Sequence, residues 1–341
     1  LNGVAFNYKD LNGKNILITG GLGFIGSNIA HRCVQLGARV TLLDACLEPY
    51  GWNYANVEGI SEFVEIVEGD VRDFHLMEDL VSGKEIVFHM AGQVGREISM
   101  ENPILDMEIN CAGTINLIEA CRKGVNRPKV VFAGSRGQIG EPIYMPVDEK
   151  HPENPTDVYG INKMSAERYL FLYGALYGFP VVSLRLNNIY GPRCQMHAGF
   201  YGILNWFMSN AMTGKPITVY GEGRQTRDYL YVADAVDAFI RAALLEEADH
   251  EVFMVGSGVE TVFVDMVNEV VHAAGEGEVI HVKFPGNRQK IDIKRFVADV
   301  GKAESILAWK PLVDLKTGIR QTYDYYNKNG VLEKYLRRRS G

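Results

Sequence analysis

The stretch "NILITGGLGFIGSNIAHRCVQLGARVTLLD", residues 15–44, decides the fold. Its first five residues, "NILIT" (15–19), are mostly branched and apolar and read as a strand buried on both faces. A glycine-rich turn follows, then an apolar-periodic helix over 24–36, then a second strand, "RVTLLD" (39–44). This is one βαβ unit, and strands joined this way lie parallel with a right-handed crossover.

The unit repeats. Strand patterns recur at "FVEIVEGD" (63–70), "EIVFHMA" (85–91), "KVVFAGS" (129–135) and "PVVSLRL" (180–186), with helix patterns at 74–81, about 103–123 and 159–177. The fold class is therefore α/β, a Rossmann-type doubly wound parallel sheet, with a smaller mixed α/β substrate domain towards the C-terminus. After residue 186 the pattern loosens. "NNIYGPRCQMHAGFYG" (187–202) has no period and reads as a loop. Helices are expected at 203–213, 231–246, 261–275, 299–309 and 315–329, and strands at 216–221, 251–257 and 279–285. Residues 1–186 and 227–257 then form the nucleotide-binding domain, 187–226 and 258–330 the smaller one, and 331–341 a solvated tail. The smaller part is too interrupted to stand alone. It is expected to pack over the strand C-termini, where open α/β sheets bind ligands.

Composition narrows the function. The chain has 341 residues, 47% hydrophobic and 23% charged, with a net charge of −7. An acidic balance argues against a nucleic-acid surface, and no apolar run reaches the length of a membrane span. Five cysteines, without a CxxC pair or a His/Cys cluster, fit reduced thiols in a cytoplasmic protein and no metal site.

"TGGLGFIGS" (19–27) places Gly20, Gly23 and Gly26 between a strand and a helix. Glycine there permits a tight turn and lets a pyrophosphate approach the first helical amides. The next strand ends at Asp44, whose carboxylate can accept both hydroxyls of an adenosine ribose and would repel a 2′-phosphate. The cofactor expected is NAD. Further on, "VYGINK" (158–163) sets Tyr159 and Lys163 on one helical face. An ammonium beside a phenol favours the phenolate, which makes tyrosine usable as an acid or base near neutral pH.

With these motifs the chain resembles the extended short-chain dehydrogenases/reductases that act on nucleotide sugars. The likeness spans nearly the whole chain. Besides the motifs above it rests on "GDVRD" (69–73), "HMAGQ" (89–93), "EINCAGT" (108–114), Ser135, "RLNNIYGPR" (185–193), "VYGEGRQTRDYLYVADAVDA" (219–238) and "DVGKAESILAWKP" (299–311). The resemblance implies that Gly20, Gly23, Phe24, Ile25, Gly26 and Asp44 hold NAD. It places Asp70 and Val71 at the adenine, Ala91 and Gln93 near the riboses, and Asn110 on a helix beside the active site. It makes Ser135, Tyr159 and Lys163 the catalytic set, Ser135 bonding the reacting sugar hydroxyl and Lys163 the nicotinamide ribose. Asn188, Arg193, Arg227 and Arg288 are its candidates for the nucleotide diphosphate-sugar. It also implies a homodimer through the helices at about 103–123 and 159–177.

"AGSRGQIG" (133–140) bears on the reaction. Dehydratases of this family carry an Asp-Glu pair after the Ser/Thr, and decarboxylases a Glu; here stand Arg136 and Gly137. The extra Cys and Lys of the C3/C5 epimerases have no counterpart to assign. Epimerisation at C4 of a UDP-hexose or UDP-uronate is the expected reaction. A CDP-sugar 2-epimerase is the alternative, ahead of a dehydratase or decarboxylase, and a non-catalytic NAD-binding regulator is the reading from another class. Arg136 itself is open between an anionic substrate group, such as a uronate carboxylate, and a loop position facing solvent or a phosphate. Ile139 stands where the family usually has Tyr. Phe296 falls at the position that sets the width of the sugar pocket in the family, and its ring is expected to disfavour a 2-acetamido group.

Overall fold

The computed structural model describes residues 6–286 and 292–336. Six strands follow the expected runs closely: β1 (Asn15–Thr19), β2 (Arg39–Asp44), β3 (Val64–Glu68), β4 (Ile86–His89), β5 (Lys129–Ser135) and β6 (Val181–Leu186). They form one parallel sheet of order β3-β2-β1-β4-β5-β6, and Val252–Val255 adds a seventh strand beside β6. The order reverses between β1 and β4. A crevice opens there at the strand C-termini, the switch point of a doubly wound sheet.

Both faces of the sheet are dry. Ile16 and Ile18 of β1 join one core with Phe88 and Phe239, while Leu17 joins the other with Val130, Phe132 and Leu170. Period-2 alternation is hidden in the sequence because the residues pointing either way are apolar. Helices α1 (Phe24–Gln35) and α2 (Phe74–Val81) cover the sheet. The expected helix over 103–123 is present but widens part-way into a π turn. Its span is α4 (Pro103–Met107), a π turn (Glu108–Ala112) and α5 (Gly113–Lys123), preceded by a separate short helix, α3 (Arg96–Glu101). The wider turn contains Asn110, and such turns recur at functional sites. Helix α6 (Val158–Tyr177) starts where the Asp157 side chain accepts the Gly160 amide at 2.7 Å, and stops at Gly178, φ +72°.

The second lobe packs a core of its own around Phe207, Met208, Ile217, Met266 and Tyr326. Within the stretch read as a loop, Asn188–Tyr190 pairs in parallel with Tyr229–Tyr231. Strands of three residues are too short to show a period. One carboxylate ties the lobes together: Asp228 accepts from the Asn187 side chain (2.9 Å) and from the amides of Ser257 (2.6 Å), Gly258 (3.2 Å) and Ala298 (3.1 Å). The solvated tail expected from 331 is corrected for the described residues. Val331–Leu336 is a helix, with Tyr335 buried against Tyr325 and Tyr326 and Lys334 paired with Glu58 at 2.6 Å. The two charged neighbours of the tyrosine face outward and gave the segment its polar look. No helix among the described residues is long and apolar enough to cross a membrane.

Candidate active site

A cleft of about 320 Å³ lies at the switch point. Its floor is the glycine turn: Gly20 has φ +67°, and a Cβ on Gly26 would run into the Gly20 carbonyl oxygen, so neither position admits another residue without rebuilding the turn. Helix α1 begins at Gly23 with no side-chain cap and no acidic residue in its first turn. Its opening amides are thus left for an anion from outside. At the tip of β2, Asp44 accepts the amides of Leu22 and Cys46, each at 3.0 Å. These bonds fix the carboxylate, while burial raises its proton affinity. Asp70 and Val71 close the far wall, and Asp70 is held by Arg72 at 2.7 Å.

Every residue expected to hold the cofactor lines this cleft except Asn110. Asn110 stands behind the wall, donating to the Gln93 carbonyl at 3.1 Å. The Gln93 Oε1 and Asn110 Oδ1 atoms are buried without a partner among the described residues. An uncapped helix start, a carboxylate at the tip of β2 and unspent polar atoms at and behind the wall fit a dinucleotide.

Ser135 and Tyr159 stand where this cleft meets a second cavity of about 230 Å³. Their spacing comes from the backbone. Ser135 caps a single 3-10 turn, its Oγ accepting the Gly137 amide at 3.1 Å and its own amide donating to Gln138 Oε1 at 2.8 Å. That turn rests directly on α6: a Cβ on Gly160 would strike the Gly137 carbonyl oxygen. Nothing in "YG" flagged this contact, because its partner is 23 residues away.

The electrostatics differ from the expectation. Enclosure pushes the Tyr159 phenol up to about 12, and the neighbouring Ser135 hydroxyl pulls against that shift. The Lys163 ammonium lies over the Phe132 ring instead, and burial brings its pKa down to about 7 against the pull of Asp106 and Glu167. The Lys163 charge is not among the influences that shift the Tyr159 phenol here. Below the site, Arg185 is sandwiched between Glu167 (2.5 Å) and Glu153, which anchors α6 to β6.

Of the residues expected at the substrate, Ser135 and Asn188 line the second cavity. Arg193 and Arg227 are not brought into its wall. Arg193 donates to Asn28 at 2.8 Å, and Arg227 pairs with Asp292 at 2.6 Å. Arg288 lies outside the described residues. Phe296 does not line the cavity; it is fully buried beneath, with the Arg136 guanidinium over its ring at 5.5 Å. Arg136 does line it.

Comparison with known proteins agrees with this architecture. Residues 16–256 match the profile of the NAD dependent epimerase/dehydratase family. A Methanocaldococcus jannaschii protein, provisionally named UDP-glucose 4-epimerase, is 37% identical over 92% of this chain and 99% of its own. A Bacillus cytotoxicus UDP-N-acetyl-alpha-D-glucosaminuronate decarboxylase is 32% identical over 92% of this chain and 98% of its own. The crystal structure of the Thermotoga maritima UDP-glucose 4-epimerase with UDP-glucose superposes with a TM-score of 0.85 at 30% identity, covering 92% of this chain and 99% of that one. The chain belongs to the NAD dependent epimerase/dehydratase family, nucleotide-sugar enzymes built on a Rossmann sheet.

Proposed function

We propose that this protein is a UDP-sugar 4-epimerase, oxidising the sugar at C4 and reducing it again from the opposite face. One observation carries the reading. The described residues around the second cavity include Ser135 and Tyr159 but no Asp, Glu, His or Cys. Eliminating water needs a side-chain acid and base beside the sugar, whereas epimerisation by oxidation and return needs one group that moves one proton. The resemblance to UDP-glucose 4-epimerases supports the same reaction and a UDP-sugar as substrate.

Held on the α1 amides and Asp44, NAD supplies reversible hydride acceptance. The chain's own groups do the rest. Ser135 Oγ accepts the Gly137 amide and its hydroxyl bonds Tyr159, which sets it beside the phenol to orient the sugar hydroxyl. Tyr159 takes the proton of that hydroxyl and later returns it. Lys163, one helical turn on and on the same face, is the cation that offsets the phenolate. Asn188 meets the diphosphate end. Arg193 and Arg227 reach it only by exchanging Asn28 and Asp292 for phosphate oxygens. A cytoplasmic homodimer fits this reading: Ile104 of α4 and Ile161, Leu172 and Leu176 of α6 are exposed apolar residues on the helices expected to meet a second copy.

The test is a panel of UDP-, CDP- and dTDP-sugars followed by proton NMR. A 4-epimer of a UDP-sugar without net NADH is the expected result. A keto-deoxy sugar, a pentose, or a CDP-sugar 2-epimer as the product overturns it. Sedimentation as a monomer at micromolar concentration overturns the dimer alone.

A further inference from the structure

We propose that Arg136 is the receptor for a carboxylate carried by the sugar itself, so that the substrate is an acidic nucleotide sugar rather than a neutral one. This inference rests on the UDP-sugar reading above and names the substrate class within it.

Three guanidinium groups gather at the sugar end of the site: Arg96, Arg136 and Arg227. Two of them are matched. Arg96 forms an ion pair with Asp157 and donates to Thr156 Oγ1 at 2.8 Å. Arg227 pairs with Asp292 at 2.6 Å and donates to the carbonyls of Thr226 and Ile293 at 2.8 and 2.6 Å. Arg136 has no ion pair among the described residues. Its Nη1 is out of contact with solvent and has no hydrogen-bond partner among them. The segments outside the described residues, 1–5, 287–291 and 337–341, contain no Asp or Glu, so no side chain there supplies a counter-ion.

A guanidinium nitrogen shut off from solvent without a partner is costly, even on a half-buried side chain such as Arg136, and arginine cannot escape by losing its proton under ordinary conditions. Enclosure of the guanidinium, with Arg227 and Arg96 close by, pulls the Arg136 pKa down to about 9, although the Asp292 carboxylate, already paired with Arg227, pulls the other way. A ligand that brings one more negative charge relieves that strain, whereas a neutral hydroxyl does not.

Position says which anion. Arg136 follows Ser135 directly and lines the cavity that Ser135 and Tyr159 share, so it stands at the reacting end of the sugar. It is absent from the lining of the larger cleft, where the α1 amides wait for the cofactor pyrophosphate. The guanidinium carbon lies 5.5 Å from the centroid of the Phe296 ring, and the planar fork of arginine matches the two oxygens of a carboxylate. Two kinds of sugar present such a group: a uronate, at C6, and a sugar bearing an acidic ether side arm.

The experiment is calorimetric titration of the NAD-loaded protein with UDP, UDP-glucose, UDP-glucuronate and UDP-N-acetylmuramate. We expect one of the two acids to bind about tenfold or more tightly than UDP-glucose, the scale of one charge-assisted hydrogen bond. Preference for the glucuronate places the carboxylate at C6; preference for the muramate places it on a side arm. Arg136→Met, which keeps bulk over Phe296, should bring acid and neutral sugar to within about twofold, the loss of that one bond. Arg136→Lys should keep part of the preference. UDP binding and the melting curve show that each variant is folded. If UDP binds but UDP-glucose matches both acids, or if Arg136→Met keeps the preference, the proposal is wrong and the epimerase reading stands. If UDP itself does not bind, both fall together.

Discussion

The Lys163 ammonium lies 4.1 Å from the centroid of the Phe132 ring, three residues before Ser135 on the same strand. The proposed catalytic cation thus lies against the sheet. Burial holds its pKa near 7, below the ordinary 10.5 of a lysine. Below pH 7 both folded and unfolded chains bind this proton, and the folded chain bears the full cost of a buried charge. Between pH 7 and 10.5 only the unfolded chain binds it, so folded stability rises with pH. We expect unliganded Lys163→Met to melt several degrees above the parent at pH 6, with the gap narrowing towards pH 9. Thermal melts across that range check it; a constant gap contradicts it.

Tyr159→Phe should lower turnover by about 10³-fold or more, the scale of a lost general acid–base. The phenol is one wall residue among many in the cofactor cleft, so NAD affinity should change little. Steady-state rates and equilibrium NAD titration separate the two effects.

Gly160→Ala tests the contact between the Ser135 turn and α6. The added methyl meets main chain, the Gly137 carbonyl oxygen, and the Pro155 ring carbon, not a movable side-chain end. A loss of about 1–3 kcal/mol is expected, as for an overpacked core, together with reduced turnover at unchanged NAD affinity. Urea denaturation and rate measurements on one preparation decide it.

Glu167→Ala removes one of the two carboxylates on Arg185 and the acceptor of the Ser183 hydroxyl at 2.6 Å. Leaving a buried guanidinium half matched should cost about 3 kcal/mol. Glu167 also lies one turn beyond Lys163 and favours its charged form, so turnover should fall as well.

Much of the fold was legible because β1, β2 and β5 are continuous apolar runs closed by turn residues, and a sheet buried on both faces needs such runs. The glycine turn and Asp44 were legible because their chemistry depends on spacing along the chain. What escaped depends on contacts across it. The π turn at Glu108–Ala112 carries no sequence signature beside an unbroken helical period. The Tyr159–Lys163 spacing shows a phenol near an ammonium, but not that Phe132 and Asp106 face that ammonium from other elements and Glu167 from one turn further along α6. Arg227 looked available until Asp292 met it. The burial of Tyr335 was hidden by its charged neighbours.

The contact between Gly137 and Gly160 has a consequence for how such enzymes can diverge. Main chain touches main chain there, so the register of Ser135 against Tyr159 is independent of any side chain between them. Position 136 lies inside that bracket and lines the second cavity. On the roles proposed above, a lineage can exchange the residue at 136, and with it the sugars it accepts, while keeping Ser135 and Tyr159 in register. Reaction and diet are separately heritable in this loop, one codon apart.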